Sequence, residues 1–151
     1  MTPEPDHFYD GRDASQFAIL LDITPPNSTA QGKRFNGKTG RAFHTKEHTR
    51  DMESITTLMK VAPGRPTAAL SGPVELVIEG YWPHLRKTPK RDLFGTVPKV
   101  SKPDLDNWAK GVIDCLVDAG YLESDQIVWK LTVSKHHAHE PRIAITGRKT
   151  T

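Results

Sequence analysis

Lys102-Pro103-Asp104-Leu105-Asp106-Asn107-Trp108-Ala109-Lys110 marks the point where an extended, proline-led chain turns into a helix, and the fold reads outward from there. Pro103 biases Lys102 toward extended backbone. Beyond it, Leu105, Trp108, Ala109, Val112, Ile113, Leu116 and Val117 recur at helical spacing and predict one broad apolar face, opposite Lys110 and Asp114. Ala119-Gly120 predicts the end of that helix.

Upstream, residues 1–15 are polar and punctuated by prolines, which predicts a loose arm, so the folded domain is expected over 16–151. Gln16 to Ile23 reads as a first strand stopped by Pro25-Pro26. Lys33 to Thr45 alternates basic and aromatic residues around Gly37 and Gly40 and reads as a hairpin. Thr45 is placed to cap a helix running to about Lys60. Val61 to Pro73 reads as a loop, and Val74 to Trp82 alternates as a strand that Pro83 ends. Downstream, Ile127 to Ser134 and Arg142 to Thr146 read as two final strands, antiparallel across a turn at Lys135 to Glu140. The sum is a small single-domain α+β fold, a mixed sheet of four to five short strands packed with two helices.

The acidic residues of the opening stretch carry chemistry. Asp104 and Asp106 stand two apart where the backbone is still extended, so both carboxylates can share a face and reach one cation. Lys110 follows Asp106 by four and becomes its neighbour once the helix has begun, where it can balance charge or hold a phosphate. Asp125 comes just after the helix, and a short return loop would bring it back to the same place. Carboxylate oxygens suit a hard cation such as Mg²⁺, with Mn²⁺ as a substitute, which keeps several waters and takes its other ligands from phosphate. One such ion polarises a scissile phosphate and helps generate hydroxide, and two ions about 4 Å apart can stabilise both the attacking and the leaving oxygen. A plainer reading stays open: Asp104 as an N-cap, Asp106 complementing the helix dipole and Lys110 as a solvated partner.

A resemblance covers most of the chain. Lys102-Pro103-Asp104-Leu105-Asp106-Asn107, Lys110, Asp114, Leu116, Gly120 and Glu123-Ser124-Asp125-Gln126-Ile127-Val128 together look like the signature of the RusA family of Holliday junction resolvases. Pro25-Pro26-Asn27-Ser28, Lys33-Arg34-Phe35 and Gly40-Arg41-Ala42-Phe43-His44-Thr45-Lys46-Glu47 are similar to the N-terminal portion of phage-type members. The resemblance implies an endonuclease that makes paired nicks in four-way DNA junctions as a homodimer with Mg²⁺. By position it implies Asp104, Asp106 and Asp125 as metal-binding carboxylates and Lys110 as a catalytic lysine. The chain departs from the pattern at Ser124, where the family commonly has a second acid beside the aspartate. A two-fold dimer would match the two symmetry-related strands of a junction.

Between Pro83 and Asp104 lies a long connection that carries Arg86, Lys87, Lys90, Arg91, Lys99 and Lys102, with Asp92 its only acid. It runs straight into the acidic stretch, and cations there are placed to hold DNA backbone. Lys33, Arg34 and Arg41, interleaved with Phe35 and Phe43, form a second candidate DNA surface. With 21 Lys and Arg against 18 Asp and Glu, the formal net charge is only +3, so placement of charge has to carry the nucleic-acid argument.

The 151 residues are 36% hydrophobic and fit one domain with one core, a size at which roughly 70% of the unfolded surface is buried. One cysteine, Cys115, excludes an intramolecular disulfide and falls inside the helix, where a buried apolar role is expected. Neither a basic-apolar leader nor a membrane-length apolar run is visible, and a cytoplasmic protein with no membrane partner is expected. His44-Thr45-Lys46-Glu47-His48 fits the H-x-x-E-H string of inverted zinc proteases, but with Thr45 as a helix cap His44 would not share a helical face with His48. His136, His137 and His139 are expected in a solvated turn, at most an adventitious nickel or zinc binder. Two rival functions remain: a non-catalytic junction- or DNA-binding protein with a decayed metal site, and a metal nuclease acting on flaps, other branched DNA or ordinary duplex.

Overall fold

The structure, a computed structural model, describes residues 15–28, 34–35, 37–38, 42–43 and 46–150. The expected arm through residue 14, the cap at Thr45, His44, and the candidate DNA contacts Lys33 and Arg41 lie outside the described residues.

Within them the order is β1 (Gln16–Leu21), β2 (Arg34–Phe35), β3 (Ala42–Phe43), α1 (Lys46–Val61), β4 (Val74–Pro83), β5 (Val97–Pro98), α2 (Leu105–Asp118), β6 (Val128–Ala138) and β7 (Arg142–Lys149). Five strands form one mixed sheet in the order β1-β7-β4-β6-β5, in which β4 and β6 run parallel and every other pair is antiparallel. The strands β2 and β3 pair separately through Arg34 with Phe43 and Phe35 with Ala42, the expected hairpin.

One face of the sheet is apolar and carries both helices. In β1 the alternation buries Phe17, Ile19 and Leu21 and leaves Leu20 63% exposed on the opposite face. Leu76, Ile78 and Trp82 of β4 and Ile143 and Ile145 of β7 extend the apolar face, which closes over Ile55 and Met59 of α1 and Trp108, Val112 and Leu116 of α2. This is the small α+β domain that the pattern of two helices and alternating strands predicts.

Two expectations about the end of the chain are corrected. The last two strands are antiparallel in direction but do not pair, because β4 lies between them along its whole length. Neighbouring strands are roughly 4.8 Å apart, so stepping over one needs about 10 Å, which three extended residues span. His139, Glu140 and Pro141 make that step. The register also moves the histidines. His136 and His137 belong to β6, not to a turn, and the strand continues to Ala138. His137 pairs in register with Trp82, is buried, and has Nδ1 2.9 Å from the carbonyl of Pro83. His136 stacks on Tyr81 with ring centroids 4.7 Å apart on the opposite, open face. Among the described residues, no helix is long and apolar enough to cross a membrane.

Candidate functional site

The start of α2 is built from its buried side. Trp108, 2% exposed, packs edge-to-face on Trp82 of β4 at 5.1 Å, and Asn107 is buried beside it. These anchors turn the acidic residues outward. Asp104 stands at the N-cap position with extended backbone (φ −61°, ψ 138°), yet its side chain makes no capping bond. The carboxylate accepts instead from Nδ2 of Asn107 at 3.3 Å, and the Asp104 carbonyl accepts from the Trp108 amide at 3.0 Å. A plain cap is therefore not how this carboxylate is used. Leu105, expected on the core face, is 43% exposed and lines a cleft beside α2 instead.

From Asp106 a row of charged side chains follows the helix at every fourth residue: Asp106, Lys110, Asp114. The row borders a cleft of about 700 Å³ between α2 and β6, with Ile113, Leu131 and Val133 on its apolar walls and Asp125 on its rim. Asp114, which the sequence places opposite the apolar face and among the residues of the resemblance, was not among the expected site residues. Partial burial against the cleft raises its carboxyl above the usual carboxylate range. Lys110 pulls it back, while the charges of Asp125 and Asp118 push it up and His48 lowers it. The four-residue spacing from Lys110 was the signal that could have found it.

The return of Asp125 has a local cause. Gly120, at φ +83°, ends α2 in the left-handed region; its amide donates to the Val117 carbonyl and the Tyr121 amide to that of Leu116. That cap turns Tyr121 and Leu122 into the core, where the Leu70 amide donates to the Tyr121 carbonyl and the Glu123 amide to that of Leu70. Ser124 then caps the 3-10 turn Asp125–Ile127, its Oγ accepting from the Gln126 amide at 3.1 Å. Ser124, the departure from the family pattern, thus serves the structure by holding the turn that presents Asp125.

Asp106, Lys110 and Asp125 are brought to one cleft, and Asp114 with them; Asp104 is not among the residues lining it. Among the described residues no group of three or more His, Cys, Asp or Glu side chains is drawn close enough to hold a metal ion. The donor chemistry nonetheless fits a hard cation, which needs only one or two carboxylates and completes its octahedron with water and phosphate.

The basic connection runs over the end of the sheet toward this helix start. Arg86, Lys87, Lys90, Arg91 and Lys102 are exposed along it, with Arg91 3.9 Å from Asp92 in a solvent-exposed contact. A bond between His84 Nε2 and the Gly95 carbonyl at 3.1 Å closes the connection on itself, and Phe94 is 86% exposed at its outer turn. Lys99 differs from the others. It folds back over the Trp82 ring at 5.4 Å and donates to Oγ of Ser101 at 2.8 Å, and burial, then the charge of Lys135, lowers its pKa. Of the hairpin cations, Arg34 lies in β2 opposite Phe43.

The single cysteine is buried as expected, its thiol pushed up to about 11 by burial, and its Sγ lies 3.5 Å from Sδ of Met52. His48 of the protease-like string is buried on α1 with Nδ1 3.4 Å from Oγ of Ser28, which itself donates to Asp51 at 2.6 Å.

"Uncharacterized protein YqaN" of Bacillus subtilis (strain 168) is 33% identical over 91 residues, which are 56% of this chain and 63% of that protein. The chain thus spans less than two thirds of that relative's length. Residues 24–146, from just before Pro25-Pro26 through most of β7, match the model of the endodeoxyribonuclease RusA family and include every aspartate of the cleft, so the chain belongs to the RusA family.

Proposed function

We propose that this protein is a Mg²⁺-dependent, structure-specific endodeoxyribonuclease that resolves four-way DNA junctions by paired nicks in recombination and repair, acting in the cytoplasm as a homodimer. The observation that supports the reading most directly is the convergence of Asp106, Lys110 and Asp125 on one cleft, beside the helix start that carries Asp104 and at the end of a basic connection. Family membership supports the same chemistry.

In this reading the exposed cations of the connection grip phosphates on either side of the scissile bond and set its register. Asp104, Asp106 and Asp125 would hold the cation, which when bound supplies Lewis acidity toward the phosphate and lowers the pKa of water. Asp106 and Asp125 orient the attacking water in line with the leaving oxygen. As the water oxygen bonds to phosphorus and gives up its proton to solvent, the bond to the leaving oxygen breaks and that oxygen takes a proton from solvent, while the Lys110 ammonium stabilises the charge gathering on the phosphoryl oxygens. Asp114, one turn further along α2, faces Lys110 with an opposite charge. A two-fold pair of such sites would cut the two equivalent strands.

A non-catalytic junction binder is the competing reading, favoured by the spread of the carboxylates. Both are separated by incubating a labelled synthetic four-way junction and a linear duplex of the same sequence with wild type and Asp106→Asn in Mg²⁺. Symmetric nicks in the junction alone, reduced at least about 100-fold in the variant with junction binding retained, are the expected result. Binding without nicks in Mg²⁺ or Mn²⁺ would establish the binder. Cleavage of flaps or plain duplex at equal rate would make it a metal nuclease of other specificity, and full activity in Asp106→Asn would remove the aspartates from the chemistry.

A further inference from the structure

Lys135 lies on β6 across from Gly80 of β4, on the face that carries the helices, and its ammonium is directed at main-chain oxygens. It donates to two carbonyls of the segment that leads into α2, Ser101 at 2.6 Å and Pro103 at 2.5 Å. Its own main-chain carbonyl accepts from the Lys99 amide at 3.0 Å, next to the pairing of Val97 and Pro98 with His137 and His136. One residue of β6 therefore fastens the segment from Lys99 to Pro103 by both its backbone and its side chain. An ammonium has three donors and no acceptor, and carbonyls that accept from a cation are held more firmly than by neutral donors.

The Pro103 carbonyl belongs to the peptide that immediately precedes Asp104. Asp104 has no side-chain cap bond to fix it, and its carboxylate has one long contact, to Asn107 at 3.3 Å. What sets the direction in which this carboxylate leaves the helix start is thus the peptide plane held by Lys135. We propose that Lys135 is a positioning residue that sets Asp104 relative to Asp106, so that the two carboxylates can meet a divalent cation. This role rests on the reading of the aspartates as a cation site.

The test uses the full chain and Mn²⁺ alone, titrated by the EPR signal of the free ion, in wild type, Lys135→Met, Lys135→Arg and Asp106→Asn. Partners that orient metal ligands typically contribute about 10- to 100-fold in affinity, so Lys135→Met is expected to weaken Mn²⁺ binding at least about 10-fold and Lys135→Arg to recover part of it. Amide exchange gives a second readout. The Trp108 amide, bonded to the Asp104 carbonyl, is expected to exchange faster in Lys135→Met, while the Leu70 and Tyr121 amides, bonded to the carbonyls of Tyr121 and Leu116, keep their protection. A uniform rise at all three amides would mean general destabilisation and would overturn the positioning role, as would Mn²⁺ affinity within about twofold of wild type. Wild type that binds Mn²⁺ no better than Asp106→Asn would overturn the cation site itself and this role with it.

Discussion

Ser124 shows how one side chain can depart from a family pattern without loss of the arrangement that the pattern serves. Its Oγ accepts from the Gln126 amide and so holds the turn on which Asp125 sits. A carboxylate at the same position would cap equally well, because Ser and Asp rank together at N-caps. Ser124→Asp is accordingly expected to keep stability and cleavage, while Ser124→Ala should lose roughly 1 kcal/mol in urea unfolding and let Asp125 wander, lowering cleavage more than junction binding. Equal cleavage by the alanine variant would show that Asp125 is held by other means. Asp114 teaches the complementary lesson. Its place four residues after Lys110 was legible, but its partial burial depends on β6, which lies beyond Asp125 in sequence and only the fold brings alongside.

At the scale of elements, the helix start rests on a close approach of α2 to β4. A Cβ on Gly80 would stand 2.5 Å from both the Trp108 and the Trp82 rings, so the glycine is what lets the two indoles meet edge-to-face. Gly80→Ala is expected to cost about 1–3 kcal/mol by overpacking and to tilt the turn that carries Asp104 and Asp106, which thermal unfolding and the cleavage assay would read together. Gly111→Ala is the contrasting control: its Cβ meets only the flexible end of Met52 at 3.3 Å, and the gain in helix propensity should leave stability unchanged or higher. The exit of α2 is tied to α1 by the Tyr121 hydroxyl, which donates to the Met59 carbonyl at 2.5 Å and is pushed up to about 12 by burial. The folded state thus holds this proton more tightly than the unfolded chain, whose tyrosine titrates near 10. Its contribution is complete below about pH 10 and is lost as pH rises toward about 12. A stability profile by denaturant titration should fall across that window and flatten in Tyr121→Phe. The elements themselves were legible from local pattern, α2 from its apolar spacing and β4 from its alternation. Their neighbours were not: nothing in Val128–Ala138 says that β4 will lie between it and β7, since alternation fixes which face a residue takes but not which strand it meets.

For the whole molecule, function depends on where charge sits and not on its sum, since 21 basic and 18 acidic residues leave only +3. Asp106, Asp114 and Asp125 line the cleft, and Arg86, Lys87, Lys90, Arg91 and Lys102 are exposed on the connection that leads to the same helix start. DNA held by the connection would present its phosphates to the acids, and a divalent cation there would offset the repulsion. The connection's share can be measured separately from the chemistry. Lys87 and Lys90 are exposed and lie away from the cleft, whereas Lys99 is folded onto Trp82 and is expected to contribute less to phosphate binding. Each phosphate neutralised on duplex arms adds about 0.9 to the slope of log K against log salt, so the paired change Lys87→Gln and Lys90→Gln should reduce that slope by about 2. The measurement is junction affinity from about 50 to 200 mM salt in Ca²⁺ in place of Mg²⁺, a range over which such contacts dominate. Lys99→Gln alone should shift the slope by much less than about 0.9. A double variant with the wild-type slope would place the DNA on another face, and the hairpin of β2 and β3, with Arg34 beside Phe35, would be the next surface to change.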